Sequence, residues 1–279
     1  MMTAPRQPTH RDDPGDRATP PRADCAADLA GGLTFDIADP GVTDAAHLVL
    51  LRRRGDRRTR LPLTPAGNGR LRAALPSGTD LPEGRWDVYL QIADDEPHRL
   101  APGLNDLRSL VDRTPAPTAG RVAVRIPYGT KHGNLSIRSW ERSPHAEAGA
   151  LHIGDGGLEV TVRAYGAEPT PEAYAEFTDR AGASPAVRAG LTPDDRGGLR
   201  FTVPYGELRP GTWALWLRPR GESGPRARVA RLLDDIVEKT SVLVYPGKRV
   251  ESGHGPVRAV PSYTADNDLS VTVTVVPVS

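Results

Sequence analysis

Three groups of side chains in this sequence could support chemistry. Asp266-Asn267-Asp268 forms a D-x-D, and two carboxylates at that spacing can hold the divalent cation of a nucleotide-sugar. The same triplet suits a tight turn just before a strand, because Asp and Asn side chains hydrogen-bond the local backbone. RRRGDRRTR, residues 52–60, opens with Arg52, Arg53 and Arg54. Guanidinium forks in such a run can grip a phosphate-rich glycopolymer, a nucleic acid or an anionic headgroup. Its structural alternative is a solvated strand end and hairpin turn. The third group is aromatic. Tyr89 and Trp216 lie three positions after Trp86 and Trp213, so alternation turns them to the opposite face. There they can stack on sugar rings, while Trp86 and Trp213 read as core.

Familiar catalytic patterns are missing. The chain has no G-x-S-x-G, no phosphate loop, no G-x-G-x-x-G between a strand and a helix, and no HExxH. His10, His47, His98, His132, His145, His152 and His254 show no metal-ligand spacing. Cys25 is the sole cysteine, which excludes an intramolecular disulfide and a Cys-rich zinc site. Asp94-Asp95, Asp194-Asp195 and Asp234-Asp235 read as solvated surface. Neither a metal nor a cofactor is expected, and no residue is assigned a catalytic role.

The D-x-D belongs to a longer repeated pattern. IPYGTKHGNLSI, 126–137, and VPSYTADNDLSV, 260–271, share a proline, a threonine three positions on, then Asn or Asp, Leu, Ser and a β-branched residue. Upstream, Gly84-Arg85-Trp86-Asp87-Val88-Tyr89-Leu90 matches Gly211-Thr212-Trp213-Ala214-Leu215-Trp216-Leu217, and Leu75-Pro76 matches Val203-Pro204. Landmarks in the same order, about 130 residues apart, are too widely spaced for a solenoid and indicate duplication of a whole domain. The boundary is expected in the polar stretch 141–150, giving domains over 25–145 and 146–279. The shared positions are those a turn and strand require. The positions that differ, Lys131-His132 against Ala265-Asp266, are where function specific to one copy would lie, and Tyr128, Lys131, His132, Tyr263, Asp266 and Asp268 are candidate binding residues of these two stretches.

Period-two alternation runs through LTFDI, AHLVLLRRR, GRLRAALP, GRWDVYLQIA, GRVAVRIP and NLSIRSW. It resumes in LEVTVRAYG, GLRFTVP, GTWALWLRP, TSVLVYP and DLSVTVTVV. Short alternating runs between Gly, Pro, Asn and Asp predict an all-β chain of two tandem immunoglobulin-like antiparallel β-sandwich domains. Three segments also fit helices: 104–112, 171–179 and 227–239, the last with Val229, Leu232, Leu233 and Ile236 on one face. Residues 1–24 are Pro-rich, charged and poor in large apolar side chains, so a disordered tail is expected, with order beginning near Leu33.

Bulk composition narrows the field. With 36 basic and 35 acidic residues the formal charge is +1, which offers no global field for nucleic acid or an anionic membrane. The N-terminus lacks the apolar stretch of a signal peptide, and no apolar run is long enough to span a bilayer. The expected location is cytoplasmic, soluble or peripheral to the membrane. Arginine in place of lysine, with abundant Ala, Gly and Pro, suits a GC-rich, actinobacterium-like genome.

Two of these segments carry a family resemblance. Gly84, Trp86, Asp87, Val88 and Tyr89, followed by Pro127, Tyr128, Thr130, Gly133, Asn134, Leu135 and Ser136, resemble the β-sandwich modules appended to actinobacterial family-2 and teichoic-acid-type glycosyltransferases. The second copy matches less closely, with Ser262-Tyr263 at the Pro-Tyr position. The likeness covers most of residues 30–278, and no nucleotide-sugar domain accompanies it. It implies a non-catalytic accessory protein of cell-envelope glycopolymer synthesis, with a glycosyltransferase or a cell-wall glycopolymer as partner. Two other readings stand beside it. One is a glycosyl- or polyol-phosphate transferase with an interdomain site. The other is a structural homo-oligomer paired through sheet edges.

Overall fold

The computed structural model of the protein describes residues 20–41, 45–111, 113–115, 120–253 and 255–277. Its first half contains β1 (Arg22–Ala27), β2 (Leu33–Ala38), β3 (Ala46–Arg52), β4 (Arg58–Pro62), β5 (Thr64–Pro65), β6 (Arg70–Leu75), β7 (Gly84–Ile92), β8 (His98–Arg99), β9 (Ala101–Asp106), β10 (Val122–Gly129) and β11 (Leu135–Arg142). One sheet has the order β5-β6-β2-β1-β9 and the other β10-β11-β7-β3-β4. Alternation in each strand turns one set of side chains inward. Phe35, Ile37, Leu48, Leu50, Leu75, Trp86, Val88, Leu135 and Ile137 fill the space between the sheets.

The second half contains β12 (His145–Ile153), β13 (Gly157–Tyr165), β14 (Tyr174–Asp179), β15 (Val187–Ala189), β16 (Thr192–Pro193), β17 (Leu199–Pro204), β18 (Gly211–Arg218), β19 (Ala227–Ala230), β20 (Lys248–Ser252), β21 (Gly255–Tyr263) and β22 (Leu269–Val275). Its pairing repeats that of the first half strand by strand. The β12/β13, β13/β17 and β16/β17 pairs correspond to β1/β2, β2/β6 and β5/β6. In the other sheet β14/β15, β14/β18, β18/β22 and β21/β22 correspond to β3/β4, β3/β7, β7/β11 and β10/β11. Trp86 and Trp213 occupy matched core positions. Each indole donates to a carbonyl four residues back, Pro82 O at 3.1 Å and Arg209 O at 2.9 Å.

Pairing is antiparallel with one exception in each half. β9 runs parallel to β1, and β19 runs parallel to β12. β9 follows β8 of the opposite sheet, and such a crossing can deliver a strand in the direction a hairpin cannot. β19 instead pairs antiparallel with β18 and parallel with β12, which joins the strands of the second half into one continuous sheet.

Several expected elements differ. Residues 171–179 yield β14, because Ala175 and Phe177 enter the core on a two-residue period. Residues 227–239 begin as β19 and continue as irregular chain, since the amides of Leu232 and Leu233 donate to the Glu147 carboxylate instead of closing helical turns. The described part of 104–112 holds the end of β9, to Asp106, and a single turn of 3-10 helix at Arg108–Leu110. TSVLVYP forms no strand. Its Leu243 and Tyr245 lean on the second core while Val242 and Val244 face solvent. The polar stretch 141–150 holds the end of β11, two connecting residues and the start of β12.

The expected N-terminal tail also changes. Residues 1–19 lie outside the described residues, but Arg22, Ala23 and Asp24 belong to β1, a central strand of the first sheet. Ala23 and Cys25 are buried in the core, so order begins well before Leu33. Burial and the neighbouring Asp24 and Asp36 carboxylates push the Cys25 thiol up to about 12. Because this raised value stabilises the protonated native state, its contribution disappears as pH rises above the ordinary thiol range. The expected outcome is that a thiol reagent at pH ~8 leaves Cys25 untouched in native protein and labels it on unfolding in denaturant. Rapid labelling of native protein would place β1 outside the core.

Candidate functional site

One face of one sheet brings most of the interesting residues together. In β11, Leu135 and Ile137 enter the first core, so Ser136, Arg138, Trp140 and Arg142 share the outer face. Register extends this face across neighbouring strands. Ser136 lies between Tyr128 and Asp87, and Arg138 between Ile126 and Arg85. Trp140 is opposite Val124, and Arg142 opposite Val122. The outer residues of β10 and Trp140 are apolar because the second half covers them. Val122, Val124, Ile126 and Trp140 pack with Leu110, Ala230 and Leu232 in a third core.

The D-x-D closes the seam beside that core. The Trp140 indole donates to the backbone oxygen of Asp266 at 3.1 Å. Arg138 Nη2 reaches the Asp266 carboxylate at 2.5 Å. Arg142 donates through Nε to Glu83 at 2.8 Å and through Nη1 to Asp268 at 3.0 Å, and Arg228 meets the other Asp268 oxygen at 3.2 Å. Asn267, between them, is buried. Its Oδ1 accepts from the Lys239 amide at 3.2 Å. The D-x-D carboxylates therefore face arginines across the seam, and the metal-holding reading is replaced by a structural one.

The two seam arginines differ in their balance of burial and charge. Burial pulls the Arg142 pKa down, but the hydrogen-bonded Glu83 and the charge of Asp268 outweigh it, and the net shift is upward. For Arg138 burial prevails over the attraction of Asp266, and the net shift is downward. Asp266 is 55% exposed against 18% for Asp268, so solvent screens the first pair more than the second.

The turns that follow the two prolines are built alike. Thr130 N donates to Asn134 O, Gly133 N to Thr130 O and Asn134 N to Thr130 Oγ1. Thr264, Asn267 and Asp268 repeat all three bonds. Gly133 and Asn267 hold the same left-handed position, at φ 75° and 59°. In the first copy Lys131 and His132 project into solvent from this turn.

The uncovered end of the face is a polar cluster around Asp87. Its Oδ1 accepts from Arg53 Nε at 2.9 Å and from Ser136 Oγ at 2.8 Å, with Arg99 Nη1 at 3.3 Å. The Arg99 guanidinium lies 4.9 Å from the centre of the Tyr89 ring. Tyr128 completes the row beyond Ser136, and its buried hydroxyl has no hydrogen-bond partner among the described residues.

The remaining candidates scatter. Arg52 donates to Glu83 O at 2.6 Å, Arg57 pairs with Asp80, and Arg54 is exposed in the hairpin between β3 and β4. The arginine run is thus a hairpin whose guanidiniums are mostly engaged. Trp216 lies outside the core as alternation requires, but Arg226 covers its ring at 4.3 Å and its indole donates to Thr178 at 3.0 Å. Tyr263 is corrected: it is 1% exposed within the second core, and burial raises its pKa well above the usual phenol range. A ring enclosed by packing cannot contact a ligand. Asp87, Arg99, Ser136, Arg138 and Arg142 were not singled out from the sequence. Alternation along NLSIRSWER places the last three on one face, but not what covers it.

The protein is an all-β chain of paired antiparallel sheets with a repeated sandwich topology. Among solved structures it is similar to residues 217–571 of S. aureus TarS, with 16% identity and a TM-score of 0.32 over 66% of this chain and 55% of that one. A longer S. aureus TarS structure gives 14% identity and a TM-score of 0.29 over 65% of this chain and 35% of that one. A pullulanase from Anoxybacillus sp. LM18-11 complexed with maltotriose gives 11% and 0.26, over 78% of this chain and 26% of that one. The chain thus spans about half of the first structure and about a third of the second. No protein-family description and no curated protein matches it.

The seam chemistry has a measurable consequence. Replacing Arg142 by Ala removes the partner of Glu83 and one of the two arginines on Asp268, and the expected loss is about 3–5 kcal/mol. Asp266→Asn should cost no more than about 1 kcal/mol, because Asp266 is largely exposed and solvent screens its direct pair with Arg138. Urea denaturation of both variants checks this, and equal costs would show that Asp268 does not anchor the seam.

Proposed function

We propose that this chain is a non-catalytic accessory protein of cell-envelope glycopolymer synthesis, binding carbohydrate or holding a glycosyltransferase to its polymer. It consists of two immunoglobulin-like domains, meeting at 145/146, with β1 setting the start of the first at Arg22. The observation that carries this reading is the Asp87 cluster. Asp87 and Tyr128 have Ala214 and Ser262 at the matched positions of the second copy, while the core tryptophans and turn threonines are shared. The fold does not require this polar group, since its duplicate does without it.

The cluster has the chemistry of a sugar site. The Tyr89 and Tyr128 rings offer apolar faces to a pyranose or polyol chain. Asp87 accepts hydroxyl hydrogens, and Arg53 and Arg99 donate to ring or hydroxyl oxygens. The residue-level resemblance to glycosyltransferase modules supports the same class of partner. The alternative transferase reading takes its polar contacts from the Thr130/Asn134 and Thr264/Asp268 loops, of which Asp268 is already paired with Arg142 and Arg228.

Calorimetry or affinity electrophoresis against purified wall glycopolymers tests the proposal, alongside a pull-down with native glycosyltransferases. Binding is expected, with Tyr89→Ala and Asp87→Ala each weakening it about tenfold, equivalent to ~1.4 kcal/mol. Binding to neither class of partner, or variants that bind like the native protein, would overturn it.

A further inference from the structure

The outer face of the second half carries a separate groove of about 750 Å³ beside the seam. Its floor is made by outward residues of β12, β13 and β17, with Glu147 opposite Arg163 and Thr161 opposite Arg200. One wall is the 231–233 segment, another is the β16–β17 turn at 194–198, and Arg113 reaches in from the first half. A carbohydrate-active reading of the Asp87 cluster does not involve these residues.

Charge accounting gives the groove its character. Its acids are largely engaged. The Glu147 carboxylate accepts from His145 at 2.7 Å, from Leu232 N at 2.9 Å and from Leu233 N at 3.0 Å. Asp194 and Glu159 share Arg200, at 3.0 and 3.6 Å. Arg113, Arg163 and Arg196 have no carboxylate at ion-pair distance among the described residues. Arg113 donates only to the carbonyls of Ala30 and Ala123, at 2.8 and 2.6 Å. Arg163 Nη2 donates to the backbone oxygen of Arg196 at 3.1 Å, and both residues line the groove. Against these three guanidiniums stands the single unpaired carboxylate of Asp195. Unpaired arginines held in a concave site, out of reach of acids that are themselves satisfied, are arranged for an anion from outside. Tyr165, stacked on His145 with ring centres 6.3 Å apart, adds an aromatic surface beside Arg163.

We propose that this groove binds a phosphate-bearing ligand, with the phosphate on Arg163, Arg196 and Arg113 and its uncharged remainder against Tyr165. Guanidinium forks match two phosphate oxygens at once, and the volume admits a phosphorylated polyol or sugar. The site depends on both halves, because Arg113 belongs to the first and the others to the second. Its ligand is defined by the phosphate group, whether this is free, on a small molecule or within a polymer.

Calorimetry of the full chain at low ionic strength, with inorganic phosphate and glycerol phosphate as probes and glycerol as the neutral control, tests the assignment. Both phosphate probes should bind and weaken with added salt, and glycerol should give no signal. Arg163→Gln and Arg196→Gln should each weaken binding about tenfold or more. Neither side chain carries a carboxylate pair in the fold, so thermal unfolding of both variants should match the native protein. Arg53→Gln, on the opposite site, should leave phosphate binding unchanged, which separates this groove from the Asp87 cluster. Absence of phosphate binding, variants that bind as tightly as native protein, or loss through Arg53→Gln instead would overturn the proposal. Loss of glycopolymer binding at the Asp87 cluster would leave it standing.

Discussion

Arg142 sits where the two halves of the molecule meet, and its charge must be balanced there. It is 9% exposed, and it reaches Glu83 on its own half and Asp268 on the other. A buried guanidinium is stable only when its donors find acceptors, so neither half can move away without leaving a charge stranded. The apolar contact of Trp140, Val124 and Ile126 with Ala230 and Leu232 excludes water around it. Burial strengthens the ion pair and the ion pair fixes the register of the apolar contact. The halves are therefore joined by a packed and charged surface, with only two residues of chain between β11 and β12.

This seam also explains how the duplicated motif diverged. Both copies keep the Thr-centred turn, the left-handed position and the strand re-entry. In the second copy the turn carries Asp266 and Asp268, which meet the arginines of β11. In the first copy the matched turn carries Lys131 and His132, which are exposed. One loop was committed to assembly and the other left open. The same asymmetry holds for the outer sheet faces. Asp87, Ser136, Arg53 and Tyr128 form a polar group in the first copy. Trp216 in the second is capped by Arg226 and Arg228.

Arginine dominates the protein's positive charge, and the structure sorts it by partner. Arg72 on Asp36, Arg218 on Glu176 and Arg142 on Glu83 are used in the fold. Arg113, Arg163 and Arg196 have no carboxylate partner among the described residues, and Arg113 and Arg163 donate to backbone carbonyls. A net charge near zero conceals this division, since the neutral total averages paired surfaces with a groove that keeps its surplus.

The sequence alone determined the alternating strands, the core roles of Trp86 and Trp213, the turns and the repeat. Each follows from short-range rules: period-two burial, a proline that ends a strand, and Asn, Asp or Gly where the backbone turns left-handed. Segment 227–239 shows where those rules stop, because its helical spacing yields to a carboxylate from β12 that captures two of its amides. Tyr263 reads as an exposed aromatic from its neighbours, and only the packing of the second half encloses it. The D-x-D is the same kind of case. Two aspartates before a strand read first as a tight turn, though their type and spacing also suit a metal site. Only tertiary structure sets Arg138 and Arg142, some 126 to 128 residues away, against them. Local pattern fixes which face a side chain takes, whereas long-range packing decides whether that face meets solvent, a ligand or the other half of the chain.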